Sequence, residues 1–256
     1  MPRRSREQSE AHLYHVVQRG VGQQIIFEDD EDHVFFLSLL EKYFGAGEEG
    51  RVLAWCLMSN HTHLLINDRL PEVSKKMKAL GVSYARYFND RYGRSGHLFQ
   101  DRFASEAVKD DAQIMQTIRY IHANPEKAGI APAEKYKWSS YGEYLNGEAD
   151  CLAATRYALG LFGGRGNFVD FHRRGVEQMA CLNVREARSV PRLTESEACR
   201  IAGEIAGADG PFSIKARDKA SRDAAIRDMR KAGLTVRQIT RMTGISSGVI
   251  SRACKR

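Results

Sequence analysis

Apolar residues in the first half of the chain recur with the two periods that distinguish strands from helices. Some runs are rich in β-branched and aromatic residues and stop at glycine or at a polar pair, as strands do. Others repeat every three to four positions, as Ile114, Ile118 and Ile121 do, which predicts a helix with one buried face. In chain order, the predicted elements are a strand over residues 13–20, a helix over 29–44, strands over 52–58 and 61–66, a helix from 71 to about 87, a strand ending near 108 and a helix over 111–124.

This order of elements predicts an α+β domain. Strand, helix, strand, strand, helix, strand, helix is the connectivity of a ferredoxin-like antiparallel sheet with helices on one face. The strands over 52–58 and 61–66 are separated only by the polar pair Ser59-Asn60. Because a two-residue connection joins neighbouring antiparallel strands, we expect these two strands to form a hairpin.

The remainder of the chain is predicted to be helical. Thr194 and Glu197 have the spacing of a capping box, which predicts a helix that begins there and ends at Gly207. We see no chemistry in this stretch. The predicted division is therefore an α+β domain over residues 1–150, a helical extension or linker over 151–215 and a helix-turn-helix domain over 216–256.

The basic excess of the chain is confined to this last segment. The whole sequence has a net charge of +7, whereas residues 216–256 hold 11 Lys and Arg against 3 Asp, a net charge of +8. Ile239, Ile245 and Ile250, with a turn at Gly244, have the spacing of buried residues in a helix-turn-helix. Such a segment would bind nucleic acid, although a three-helix bundle or a solvated basic tail would show the same pattern. The candidate DNA contacts here are Arg237, Ser247, Ser251 and Arg252.

Composition excludes several classes of protein. With 256 residues, 43% of them hydrophobic and 28% charged, the chain can bury a globular core. No run of about eighteen apolar residues predicts a membrane span. The five cysteines are odd in number and form no C-x-x-C pair. We therefore expect reduced thiols in a cytoplasm, not a disulfide framework or a zinc knuckle.

A histidine pair follows the predicted hairpin turn. On a strand, side chains two positions apart point to the same face, so His61 and His63 would present two imidazoles side by side. Two neutral imidazoles are half of a site for a divalent metal. A histidine pair of this spacing also arises by chance and lines a sheet surface, so a metal site needs ligands from elsewhere.

The helix over residues 111–124 carries the candidate partners of the histidines. At about 100° per residue, Tyr120 and Asn124 lie within about 40° of each other and away from the isoleucine stripe. They are expected to share a face that is not the core face, whereas His122 faces away from Tyr120. We expect Pro125 to end the helix, because the residue before proline disfavours the α region. By this local pattern alone, Tyr120 could equally be a half-buried aromatic residue and Asn124 a helix C-terminal residue.

The loop over residues 93–103 interleaves aromatic and basic side chains. Such side chains stack on bases and hold phosphates in proteins that bind single strands. They also anchor loops in a hydrophobic core, and this alternative stays open at this point.

Together, these segments resemble the REP-associated tyrosine transposases, relatives of the HUH single-tyrosine transposases of small insertion sequences. The resemblance extends over about residues 10–180. Val21 and Asp101 depart from the asparagine and glycine common at these positions, and neither touches the chemistry. The motifs that carry the resemblance are residues 14–20, 57–64, 84–89, 93–103, 119–125 and 138–141.

The resemblance implies an HUH endonuclease domain in which Tyr120 is the catalytic nucleophile and His61, His63 and Asn124 hold a divalent metal, Mg²⁺ or Mn²⁺. The substrate would be single-stranded or hairpin DNA of palindromic REP-type elements near the gene. Duplex DNA would be a further partner of the C-terminal segment. A cytoplasmic, nucleoid-associated bacterial protein is implied, as a monomer or a homodimer. In the α+β domain, the candidate DNA contacts are Arg19, Arg94, Gln100 and Arg102.

Three functions therefore compete. A single-tyrosine DNA strand transferase accounts for the most residues. A catalytically silent, sequence-specific DNA-binding regulator would bind through residues 233–256 and would not need Tyr120. A metallohydrolase of small molecules would need further His or Asp ligands at strand ends, and it has no use for a basic helix-turn-helix.

Overall fold

A computed structural model describes residues 6–45, 50–147, 152–174 and 193–254. The chain divides into two compact units, Met1–Glu186 and Ala187–Arg256. The predicted functional division at residues 150 and 215 stays a prediction.

The first unit contains a four-stranded antiparallel sheet with the order β2-β3-β1-β4. The element sequence confirms the predicted α+β class and the predicted hairpin at Ser59-Asn60. The strands are Leu13–Arg19 (β1), Arg51–Met58 (β2), His61–Asn67 (β3) and Ala104–Val108 (β4), and the first three helices are Asp30–Phe44 (α1), Leu70–Arg91 (α2) and Asp111–His122 (α3).

Helices cover both faces of this sheet. α1 and α2 pack on each other, with the rings of Phe36 and Tyr84 5.0 Å apart. α2 lies on the face that carries Gln18, since a Cβ added to Gly81 would come within 3.0 Å of the Gln18 amide nitrogen. α3 lies on the opposite face, where Tyr120 contacts His15 on β1. The expectation of helices on one face was therefore wrong for α3, because the chain crosses the sheet after edge strand β4.

α3 ends earlier than its sequence predicted. The Asp110 side chain accepts from the backbone N–H of Gln113 and begins the helix, which ends at His122 and not near Asn124. After Ala123, the chain forms a short further helix, Asn124–Lys127 (α4). Pro125 lies in the first turn of α4. The backbone N–H groups of a first turn have no acceptor within the helix, so the missing N–H of proline costs no hydrogen bond there.

Three later helices complete the first unit: Tyr141–Asn146 (α5), Thr155–Phe162 (α6) and Arg165–Arg173 (α7). They pack at the β2 edge of the sheet. Tyr144 donates from its hydroxyl to the Leu53 carbonyl at 2.6 Å, and its ring stacks on Phe168 at 4.7 Å. The stretch after residue 138 thus adds to the core of the sheet.

The second unit is helical in the part that the structure describes. Its helices are Glu195–Ala206 (α8), Lys219–Lys231 (α9), Val236–Thr243 (α10) and Ser247–Ala253 (α11). The capping box at Thr194 and the end of α8 at Gly207 confirm the prediction. α9 begins at Lys219, because Asp218 caps it and a 3₁₀ helix, Pro211–Ala216, precedes it.

The burial pattern of the last two helices follows the predicted one. Ile239, Ile245 and Ile250 are buried, and Gly244 takes the left-handed conformation between the helices. The four candidate DNA contacts of this segment are exposed: Arg237, Ser247, Ser251 and Arg252. Whether this pair of helices binds DNA stays a prediction.

No helix among the described residues is long and apolar enough to cross a membrane. Cys56, Cys199 and Cys254 are free thiols. The expectation of reduced thiols covers five cysteines. Two of them, Cys151 and Cys181, lie outside the described residues.

Candidate functional site

The hairpin turn fixes where the histidine pair begins. Met58 pairs with His61 across the turn. The Asn60 carbonyl accepts from the backbone N–H of Gly20 at 2.9 Å, and the Ser59 carbonyl accepts from that of Ile26 at 2.8 Å. The segment after β1 therefore holds the turn in place.

Gly20 is required for this close approach. A Cβ built on it would lie 2.3 Å from the Gln24 carbonyl oxygen and 2.8 Å from a methyl carbon of Ile26. Any side chain here would push the segment away from the turn that carries His61.

Three histidines meet on the α3 face of the sheet. His61 and His63 have ring centroids 5.0 Å apart, as the two-residue spacing on β3 predicted. His15 on β1 stacks on His63 at 5.2 Å, with Nε2 of His15 3.0 Å from Nδ1 of His63. All three side chains are at most 3% exposed. Sequence reasoning missed His15, although the alternation of His15, Val17 and Arg19 along β1 places it on this face.

The hydrogen bond at one end of His61 leaves the other end with a lone pair. Nδ1 of His61 lies 2.6 Å from the Asn60 side-chain oxygen. Because an amide oxygen only accepts, Nδ1 carries the hydrogen and Nε2 has a free lone pair. Nε2 is buried and has no hydrogen-bond partner within the described residues. A buried lone pair that accepts no hydrogen bond can bind a cation, so Nε2 of His61 fits a divalent metal.

Burial keeps these imidazoles neutral. It lowers the pKa of His15 to about 3, and burial together with the charge of Arg19 lowers the pKa of His61 to about 3. Burial also brings the pKa of His63 well below its usual value. Neutral imidazole is the form of histidine that binds metals.

Tyr120 is brought to this face by α3, and Asn124 lies four residues later at the start of α4. The Tyr120 ring stands edge-on to His63 at 5.8 Å and to His15 at 5.7 Å. The side-chain nitrogen of Asn124 donates to the Tyr120 carbonyl at 2.9 Å, which leaves its oxygen as the atom able to coordinate a cation. The two residues were expected off the core face, yet they are 5% and 2% exposed, because the sheet's histidine face is itself buried under α3.

Lys127 is a second residue that sequence reasoning missed. Its Nζ lies 3.8 Å from the centroid of the Tyr120 ring, and its charge contributes to the lowered pKa of His63. It also lines a cavity of about 930 Å³, together with the cationic Arg119 and Arg173 and the anionic Glu126 and Glu134. Residues seven apart on a continuous helix also share a face, so the spacing of Tyr120 and Lys127 is the signal that could have found this contact.

The predicted DNA contacts of the first unit differ in position. Arg19 pairs with His61 across the strands, and its carbonyl accepts from the backbone N–H of Gln100 at 2.9 Å, so both lie at the histidine end of β1. Arg94 donates to the Gln24 side chain and lies over the Phe88 ring, which ties it to the loop after β1.

The loop over 93–103 combines both of its predicted roles. Leu98 and Phe103 are buried and anchor it in the core. Gln100 and Arg102 are exposed. The pKa of Arg6 is lowered first by burial and then by the charge of the nearby Arg102.

His122 belongs to a separate buried cluster, as its predicted orientation away from Tyr120 requires. Its Nε2 lies 2.8 Å from the Ser140 hydroxyl oxygen, and its Nδ1 lies 3.1 Å from Nε2 of His172. In the described part of the chain, no three or more His, Cys, Asp or Glu side chains form a metal-binding group.

The buried histidines make the first unit sensitive to acid. Burial lowers the pKa of His172 to about 4 and brings that of His122 well below its usual value. In the unfolded chain these histidines have a pKa near 6.5, so below about pH 6.5 the unfolded chain binds more protons than the folded chain does. The contribution of the histidines to stability is therefore complete above about pH 7 and is lost as the pH falls. At pH 5, each such histidine would cost roughly 2 kcal/mol. The shift is large for five histidines, His15, His61, His63, His122 and His172, and burial lowers the pKa of His33 as well.

We expect the urea midpoint of the first unit, followed by circular dichroism in EDTA, to fall steeply between pH 7 and 5. His172→Gln should reduce the slope by about one proton. The exposed His12 is the control, replaced by asparagine because its φ of 55° is left-handed. A midpoint that does not change with pH would contradict the burial argument.

Residues 8–124 match the family model described as "Transposase IS200 like". The matched region runs from before β1 to Asn124 and so contains both histidines and Tyr120. Among solved structures, a similar one is described as "Structure of the REP associates tyrosine transposase bound to a REP hairpin". It is 15% identical, with a TM-score of 0.45 over 57% of this chain and 86% of that chain. No curated protein is significantly similar.

Proposed function

We propose, from the match of residues 8–124 to the IS200-like transposase model, that the chain cleaves and rejoins single-stranded DNA through a covalent phosphotyrosine at Tyr120. The observation that carries the proposal is the meeting of Tyr120 with His63 at 5.8 Å, beside the unsatisfied lone pair of His61 Nε2. A nucleophile next to a cation-ready group is what phosphoryl transfer requires.

The proposed metal ligands are Nε2 of His61, His63 and the side-chain oxygen of Asn124. A bound Mg²⁺ or Mn²⁺ would polarise the scissile phosphate and offset the charge that develops on its oxygens. Imidazole and amide donors suit Mn²⁺ at least as well as Mg²⁺.

Tyr120 performs the covalent step. Its phenolic oxygen attacks phosphorus in line, the new bond to phosphorus forms as the bond to the 3′ oxygen breaks, and the phenolic proton passes to that oxygen directly or through solvent. The products are a 5′-phosphotyrosine and a free 3′-OH. Lys127 places a positive charge against the Tyr120 ring and so favours the phenolate. Because the ester keeps the energy of the broken bond, another 3′-OH reverses the step without ATP.

The substrate class follows from access to the buried nucleophile. A phosphate can reach Tyr120 only on a strand that leaves the duplex, which favours single-stranded or hairpin DNA, and the resemblance favours REP-type palindromes. Arg19 and Gln100 lie at the histidine end of β1, and Lys127 places a positive charge against the Tyr120 ring. We propose that the DNA strand runs between these two groups. As the resemblance implies, the protein would act in a bacterial cytoplasm, close to the nucleoid.

Covalent capture on a denaturing gel tests this proposal. The purified chain is mixed with labelled single strands from the DNA that flanks its gene, with Mn²⁺, with Mg²⁺ or with EDTA. We expect a protein–DNA adduct that needs the metal. DNA that is shifted on a native gel yet never cut or captured would contradict the transferase and support the regulator.

The second unit is proposed to bind duplex DNA independently of cleavage. α11 exposes Ser251 and Arg252, and Arg237 is exposed at the start of α10. We expect Arg237→Ala and Arg252→Ala each to weaken duplex binding and to reduce the salt slope of binding by about one, as the loss of one phosphate contact does. Fluorescence anisotropy at several salt concentrations measures both quantities.

The control for this prediction is Arg200→Ala. Arg200 is exposed on α8 and pairs with Glu204 at 2.6 Å, so it adds a similar charge without lying on α10 or α11. Equal losses for all three variants would indicate nonspecific attraction by net charge, and no loss for Arg237 and Arg252 would refute the helix-turn-helix role.

A further inference from the structure

His15 is a buried histidine that the proposed mechanism leaves without a role. It lies on β1, two positions before Val17, which pairs with His63. Its side chain is 1% exposed, and its ring stacks on that of His63 with 23° between the planes. Nε2 of His15 and Nδ1 of His63 are 3.0 Å apart, which is hydrogen-bond distance.

One hydrogen lies between these two nitrogens when both rings are neutral. If His15 donates from Nε2, His63 carries its own hydrogen on Nε2 and cannot bind a cation there. If His63 donates from Nδ1, its Nε2 has the lone pair that a metal ligand needs. The same hydrogen bond therefore decides whether His63 is a ligand.

The other end of His15 does not decide between these arrangements. Nδ1 of His15 is buried without a hydrogen-bond partner among the described residues, so neither tautomer gains a bond there. Nδ1 of His61 is already bonded to Asn60, which fixes that ligand's tautomer. His63 depends on His15 in the same way as His61 depends on Asn60.

We propose that His15 is the positioning residue of His63: it accepts a hydrogen bond from Nδ1 of His63, sets its tautomer and holds its ring toward a divalent cation. This inference rests on the proposed function, since it requires a metal at the pair. His15 stays outside the coordination sphere, because its Nε2 is taken up by His63 and its Nδ1 points away from it. Metal ligands of this kind lose about 10- to 100-fold in affinity when such a partner is removed.

Titration of the full-length protein with Mn²⁺ alone, followed by electron paramagnetic resonance of the free ion, tests the inference without DNA or catalysis. We expect His15→Leu, which fills the space without an acceptor, to raise the Kd for Mn²⁺ by about 10- to 100-fold. His15→Gln restores an acceptor oxygen and should remain within a few-fold of the unchanged chain. His172→Gln is the matched control, since His172 is half-buried and is also bonded to another histidine.

A second readout separates positioning from packing. In long-range proton–nitrogen NMR spectra with Mg²⁺, His63 of the unchanged chain should carry its hydrogen on Nδ1, and His15→Leu should lose this preference while circular dichroism stays the same. If His61→Ala abolishes Mn²⁺ binding and His15→Leu does not weaken it, the role of His15 is refuted and the metal site stands. If the unchanged chain binds no Mn²⁺, both are refuted.

Discussion

Tyr120→Phe is expected to abolish the covalent protein–DNA adduct and to lower strand cleavage by at least about 10³-fold. Phenylalanine lacks the oxygen that would attack phosphorus, yet it keeps the ring that stands against His15, His63 and Lys127. The fold and the binding of DNA should therefore be retained. Capture on a denaturing gel measures the adduct, and anisotropy with the same labelled strand measures binding.

Tyr87→Phe is the matched control for this prediction. Tyr87 is half-buried on α2, on the face of the sheet opposite to the histidines. Its hydroxyl accepts a hydrogen bond from Arg91 at 2.5 Å. It should form the adduct as the unchanged chain does. An adduct that persists in Tyr120→Phe would move the nucleophile elsewhere, and peptide mapping of the captured DNA would identify it.

The part of the site that could be predicted from sequence is the local part. His61 and His63 are two positions apart on one strand, so the period of the strand alone places their rings side by side. The hairpin turn before them was visible as a polar pair between two apolar runs. Both features depend on neighbours within a few residues, and both were confirmed.

Contacts between distant elements could not be predicted in this way. His15 meets His63 only because β1 pairs with β3 in a particular register, and no pattern within residues 13–20 fixes that register. The position of α3 on the second face of the sheet depends on how the chain crosses from β4. Tyr120 was placed near the histidines by resemblance to a family, and its distance to them comes from the structure.

The end of α3 shows how one signal can have two structural meanings. Proline disfavours the α region in the residue before it, so a helix was expected to end at Asn124. Proline is also favoured in the first turn of a helix, and here Pro125 occupies that position in α4. α3 ends before Ala123, and Lys127 at the end of α4 lies over the Tyr120 ring.

His61→Ala should remove the response of the protein to divalent metal. His61 contributes the buried Nε2 lone pair, and Asn60 holds it in the tautomer that can coordinate. We expect cleavage and adduct formation to fall by at least about 10²-fold, to the level of the unchanged chain in EDTA. Initial rates over a range of Mn²⁺ concentrations measure this loss.

Thermal unfolding gives a second measure that does not depend on catalysis. A ligand that binds only the folded protein stabilises it by about 2.7 kcal/mol at a hundred times its Kd, so Mn²⁺ should raise the Tm of the unchanged chain and of His172→Gln. His61→Ala should show no rise, because two of three ligands do not hold the ion. If His61→Ala keeps both the rise and the cleavage, the cation lies elsewhere, and the unsatisfied nitrogen of His61 has another purpose. If EDTA leaves cleavage unchanged, Tyr120 acts without a metal, and the charges of Arg19 and Lys127 must stabilise the phosphate.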